Sequence, residues 1–135
     1  MTRLEDIKGL NATHAELIQR RCGISSTSAL LKFGAKPAGR QALAHAVGVE
    51  VDVVLEWVNL AELIQIKGIG SGYLNLLEAS GINTLSTLKK QNPETLHARL
   101  KRVNGQKQFV TRLPTLEMVV DWIEQANELL SSVEC

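Results

Sequence analysis

Laid over itself, the chain matches at an offset of about 60 residues, and this internal repeat limits the possible folds more than any other feature. Leu4 falls on Leu63, Ile7-Lys8-Gly9-Leu10 on Ile66-Lys67-Gly68-Ile69, and Leu17-Ile18 on Leu76-Leu77. With one extra residue in the first copy, Cys22-Gly23-Ile24 falls on Ser80-Gly81-Ile82. Further along, Pro37 matches Pro93, and residues 53–58 match 118–123, so that each copy ends in a Trp-bearing segment, Trp57 and Trp122. Two copies of one supersecondary unit are predicted, 1–62 and 63–135, packed as one compact body.

The local patterns are helical throughout. In 51–66 the polar residues Asp52, Glu56, Asn59, Glu62 and Gln65 are spaced by four or three, a narrow stripe on an otherwise apolar helix. A long, largely buried helix over 51–66, shared between the copies, is the expectation. Glu117, Asp121, Glu124 and Glu128 draw the same stripe on a last helix opened by Pro114-Thr115. Both stripes read as solvated faces. Strands would need alternation of period two, and none is sustained. Between the long helices, 71–80 reads as a helix stopped by Gly81 in the left-handed region. Asn83 or Thr84 can cap a helix over 85–91, and Pro93 suits the first turn of one over 94–103. Gly23, Ser26 or Thr27, Gly34 and Pro37 take these parts in the first copy, and Asn104-Gly105 reads as a turn.

Composition removes several classes of function. With 44% apolar and 21% charged residues the chain is globular, and with 4% aromatics its core is aliphatic around two Trp. Cys22 and Cys135 are too few for a disulfide framework; Cys22 reads as a small core residue. No apolar run reaches ~18 residues and the N-terminus has no secretory pattern, so a reducing cytoplasm is the expected compartment. His14, His45 and His97 lack metal-ligand spacing, and no nucleophile–base set or phosphate loop with Lys-Ser/Thr is present. His14 and His97 are expected on helix surfaces and His45 partly packed. The chain reads as a non-enzyme with no cofactor and no metal.

The chemistry that remains lies at Ile66-Lys67-Gly68-Ile69-Gly70-Ser71-Gly72. Two glycines around one apolar residue permit a very short turn, with Ile69 plugged into the core. The N–H groups and dipole at the start of the following helix then suit a phosphate. This pattern resembles the helix-hairpin-helix motif, which implies contacts to a nucleic-acid backbone from Lys67, Gly68, Gly70, Ser71 and Gly72. The alternative is that the glycines only let two helices cross closely. In the first copy Gly9-Leu10-Asn11-Ala12 lacks the second glycine; Asn tolerates a left-handed angle, and this hairpin is expected to be structural. The resemblance also makes the expected fold all-α, tandem helix-hairpin-helix repeats.

Charge bears on the choice. Net charge is only +1, and no Lys or Arg follows the hairpin in Ser71-Gly72-Tyr73-Leu74-Asn75. Yet residues 89–112 carry Lys89, Lys90, Arg99, Lys101, Arg102, Lys107 and Arg112 against Glu94 alone, a balance of +6. Residues 113–135 carry five acids and no basic side chain, a balance of −5. Lys89, Lys90, Arg99, Lys101 and Arg102 are the candidates for electrostatic support of phosphate binding. The rival is that the two segments neutralise each other, or that an acidic partner docks there.

Over residues 3–130 the chain resembles a bacterial, mainly cyanobacterial, family catalogued as domain of unknown function 4332. The resemblance is carried by Lys67-Gly68-Ile69-Gly70, Leu76-Leu77-Glu78-Ala79-Ser80-Gly81-Ile82-Asn83-Thr84, Asn92-Pro93 with Leu96-His97, 55–61 and Trp122-Ile123-Glu124-Gln125-Ala126. It implies a fold and no established activity. Two functions are expected: sequence-independent binding of DNA or another nucleic acid through the second hairpin and 89–112, or a protein–protein adaptor or homo-oligomeric scaffold.

Overall fold

A computed structural model describes residues 3–134 and is all-helical. Its one β feature among those residues is an isolated bridge between Arg3 and Ser26. A 3-10 turn, Leu4–Asp6, precedes α1 (Ala12–Cys22), α2 (Thr27–Gly34), α3 (Pro37–Val47) and α4 (Val51–Leu63). There follow α5 (Ser71–Ala79), α6 (Leu85–Lys89), α7 (Pro93–Gln106) and α8 (Leu116–Glu128). The described residues divide into two compact units, 3–62 with 132–134, and 63–131.

In the first unit two successive tight turns, Ile7 N–H to Leu4 O and Leu10 N–H to Ile7 O, lead to Asn11. The Asn11 side chain accepts the His14 N–H at 2.8 Å, and His14 Nδ1 accepts the Asn11 N–H, a reciprocal cap that starts α1. Gly23 at φ 71° ends α1, Ser26 caps α2 and Pro37 opens α3. The helices α1 and α2 pack on α3, and α4 adds Trp57, 1% exposed, whose ring meets His14 with centroids 5.1 Å apart. The link from α2 to α3 is only residues 35–36. A Cβ on Gly39 would therefore stand 1.8 Å from the Phe33 carbonyl oxygen, and one on Gly34 2.5 Å from Val58.

That short link leaves the last carbonyls of α2 without helical partners, and Arg40 takes them. Its buried guanidinium donates to Gly34 O and Ala35 O at 2.9 and 3.0 Å, and to Glu134 O. The segment 132–134 is also held by Glu62, whose buried carboxylate accepts the Ser132 N–H at 2.8 Å.

The second unit uses the same order of devices. Ile66 N–H bonds Leu63 O and Ile69 N–H bonds Ile66 O, both at 3.2 Å, before α5. Gly81 at φ 90° follows α5, Thr84 caps α6 by accepting the Thr87 N–H, and Pro93 opens α7 behind an Asn92 cap. The helix α5 packs on α7, and both α6 and α7 pack on α8. Leu4 and Leu63, Ile7 and Ile66, Leu10 and Ile69, Ile18 and Leu77, Ile24 and Ile82, and Trp57 and Trp122 are all buried.

Several expectations are corrected. The helix expected over 51–66 ends at Leu63, because the Ile66 N–H turns back three residues to Leu63 O and starts the hairpin. Its polar stripe is not all solvated: Glu62 is 3% exposed and works as an acceptor. Asn104-Gly105 is not a turn but lies inside α7, since the Asn104 side chain reaches forward to bind the loop that follows. Asn11 is not left-handed; at φ −88°, ψ 178° it is an extended cap. Cys22 is half-buried, not core, and Cys135 lies outside the described residues. His45 is exposed, whereas His14 packs on Trp57, and His97 Nε2 lies 3.0 Å from Pro114 O.

Candidate functional site

The hairpin at 66–70 is built by one strained position. Gly68 has φ 97°, and a Cβ there would also meet Trp122 Nε1 at 3.0 Å, so only glycine fits on both counts. Gly70 is different: at φ −88°, ψ −177° it is ordinary extended backbone, and a Cβ would meet nothing within 4 Å. Of the two glycines, then, only the first is required by the turn. Ile69 between them is 4% exposed, as its apolar side chain demands. From α8, Gln125 grips the Lys67 peptide on both sides, accepting its N–H at 2.9 Å and donating to its carbonyl at 3.0 Å. Asp121 accepts a bond from the same amide at 2.8 Å and orients it.

What the second glycine does is leave the start of α5 uncovered. Gly70 and Asn11 have nearly the same backbone angles, but Asn11 fills its position with an amide that caps α1. Gly70 offers no side chain, and among the described residues no acceptor meets the N–H groups of Ser71, Gly72 or Tyr73. Those donors, with the positive end of the α5 dipole, open onto solvent.

Beside them is a cleft of about 610 Å³ whose lining combines Gly68, Gly70, Ser71, Gly72 and Tyr73 with residues 109–112. The 109–112 part of the lining is held in place. Asn104 Oδ1 accepts the Phe109 and Val110 N–H groups at 2.8 and 3.1 Å, and its Nδ2 donates to Val110 O at 3.1 Å. The Tyr73 hydroxyl donates to Arg112 O at 3.1 Å, and its ring leans on Trp122 with centroids 5.4 Å apart. A Cβ on Gly72 would stand 3.1 Å from Val110, so the walls approach closely at that point.

The basic residues named from sequence separate into two groups. Lys89 donates to Leu129 O at 3.3 Å, beyond the end of α8, and Arg99 donates to Ser80 O at 3.3 Å, at the end of α5. Both are half-buried and occupied with helix ends. Lys67, Lys90, Lys101 and Arg102 are exposed, and among the described residues none of them pairs with a carboxylate; nor do Lys107 and Arg112. Direct ion pairing of 89–112 with the acidic last helix is therefore absent among the described residues. Nothing in the local sequence marks Tyr73, Asn104, Phe109 or Gln125 as site residues. Their roles depend on which loop folds against α5, and no local pattern encodes that.

No group of three or more His, Cys, Asp and Glu among the described residues is placed to hold a metal ion. No described helix is long and apolar enough to cross a membrane. The described residues thus form an all-helical protein with an open glycine hairpin. It belongs to the family described as Domain of unknown function (DUF4332), whose model matches residues 8–129. No curated protein and no solved structure matches the chain.

The comparison of Gly70 with Asn11 makes a stability prediction independent of any ligand. Gly70→Asn supplies the missing cap at angles asparagine already adopts in the first unit. It is expected to raise stability by about 0.5–1 kcal/mol, read as an upward shift of the urea midpoint.

Proposed function

We propose that the chain is a non-catalytic, cytoplasmic binding module of two tandem helix-hairpin-helix repeats that holds a nucleic-acid backbone without reading its sequence. The second hairpin supplies the phosphate site and the first is structural. The observation that carries this reading is the difference between the hairpins: Asn11 occupies the helix start in one, while Gly70 leaves the corresponding donors of α5 open in the other. Phosphate at such an N-terminus is stabilised by the dipole and by two or three N–H bonds.

Electrostatic support comes from Lys67, Lys90, Lys101 and Arg102, which are exposed and without carboxylate partners among the described residues. Lys89 and Arg99 are left out of this set because they bond backbone carbonyls. Fluorescence anisotropy with a mixed-sequence duplex tests the reading. Affinity is expected to fall steeply with salt, and Lys101→Glu with Arg102→Glu to weaken binding by about tenfold or more and flatten the salt slope by about two. No binding at ~50 mM salt, where backbone contacts are strongest, overturns it.

A second reading, a protein adaptor or self-associating scaffold, is favoured by the near-neutral net charge and by Phe33 and Val51, 41% and 40% exposed in the first unit. A defined protein partner recovered after nuclease treatment, or a dimer in solution that Phe33→Ser dissociates, would replace the first reading with this one.

A further inference from the structure

We infer that the cleft between the start of α5 and the loop 107–112 takes a nucleotide of an unpaired strand, with the base against Phe109 and the phosphate on the α5 N–H groups. This rests on the phosphate reading above and adds to it the class of nucleic acid.

A site for duplex backbone alone needs donors and positive charge, and no apolar wall. Here the lining contributed by the loop after α7 includes Phe109 and Val110, and Tyr73 of α5 lines the same cleft. Phe109 is only half-buried in a chain with few aromatics, so part of its ring surface is left to the cleft. The wall is preformed: three bonds from Asn104 hold 109–110, and Tyr73 holds the backbone of Arg112. Order of this kind lowers the entropy lost on binding.

Charge agrees with the same occupant. Lys107 Nζ lies 5.5 Å from the Phe109 ring centroid, Arg112 lines the cleft, and no carboxylate is among the lining residues. An aromatic ring with a cation over one face, and the N–H donors of a helix start on the same cleft, suit the two ends of one nucleotide, base and phosphate. In a duplex the base faces are stacked on their neighbours, and a base has to be pulled out before it can reach such a ring. The cleft therefore selects a single strand, a frayed end or a gap over continuous duplex.

Anisotropy of the full chain with a ~15-nucleotide oligo(dT) and with a duplex of the same length decides the matter. The single strand is expected to bind about tenfold more tightly than the duplex. Phe109→Ala is expected to lower single-strand affinity about tenfold while moving duplex affinity less than about twofold, and Phe109→Tyr to restore it. Phe109→Leu, which keeps the apolar volume, is expected to resemble Phe109→Ala, and circular dichroism melts confirm that each variant folds. Equal binding of both probes, unaffected by Phe109→Ala, overturns this inference and leaves the phosphate reading standing. Binding of neither probe overturns both.

Discussion

Trp122→Ala is expected to destabilise the second unit by about 3–5 kcal/mol, the range for removing a buried aromatic from a packed core. Trp122 is 1% exposed, lies directly under the strained Gly68, and is the surface on which Tyr73 leans. Its loss leaves a cavity beneath the hairpin, under the left-handed Gly68. Trp57 then becomes the sole indole and reports on the first unit alone. Urea unfolding followed by circular dichroism should show a midpoint lowered by more than about 1 M, given slopes of about 1–3 kcal/mol per M. A midpoint within about 0.3 M of wild type would mean that the hairpin does not depend on this contact.

Gly39→Ala is the second large effect and belongs to the first unit. A Cβ at 1.8 Å from the Phe33 carbonyl oxygen is too close for side-chain adjustment to relieve, because the obstacle is backbone. Either α3 moves away from α2 or the first turn of α3 unwinds. Movement would also pull Arg40 off Gly34 O and Ala35 O, leaving a buried guanidinium without its acceptors. A loss of about 3 kcal/mol or more is expected, at the upper end for overpacking. A thermal melt reads it, and a fall in Tm below about 5 °C would contradict the close approach. The counterpart link in the second unit, 90–92, is one residue longer and carries an Asn92 cap.

How far these features can be read from sequence varies with their physical origin. The buried positions were legible because burial leaves a periodic apolar trace: Leu4 with Leu63 and Ile24 with Ile82 mark turns that bury the same residue in each unit. Caps were legible for a similar local reason, since Ser26, Thr84 and Thr115 bond N–H groups only three residues away. Groups that work at long range were not legible. Nothing local distinguishes Arg40, buried on carbonyls, from the exposed Arg102, or Glu62, holding Ser132, from the exposed Glu56. Lys89 and Arg99 read in sequence as candidates for electrostatic support for the same reason, although helix-end carbonyls occupy them.

The hairpin itself was half legible. Its glycines are conspicuous in sequence, but φ 97° at Gly68 and φ −88° at Gly70 give them opposite roles, one enforced by the turn and one leaving a helix start bare. Asn104 reverses the usual sense of Asn-Gly, since its side chain spends its hydrogen bonds on the next loop and α7 runs straight through. That loop forms the wall of the cleft, and only the folded chain brings it to α5.

The measurement that bears most directly on the proposed function is the duplex affinity of Gly70→Asn across a salt series, alongside its urea midpoint. The variant closes the start of α5 with the cap that Asn11 provides in the first unit, while adding no charge and placing its Cβ in open space. The Gly70→Asn protein is expected to be at least as stable as wild type, with an affinity at ~50 mM salt lower by about tenfold or more. Unchanged affinity in a stably folded Gly70→Asn protein would contradict the proposed function, because the phosphate would then be held somewhere other than the second hairpin.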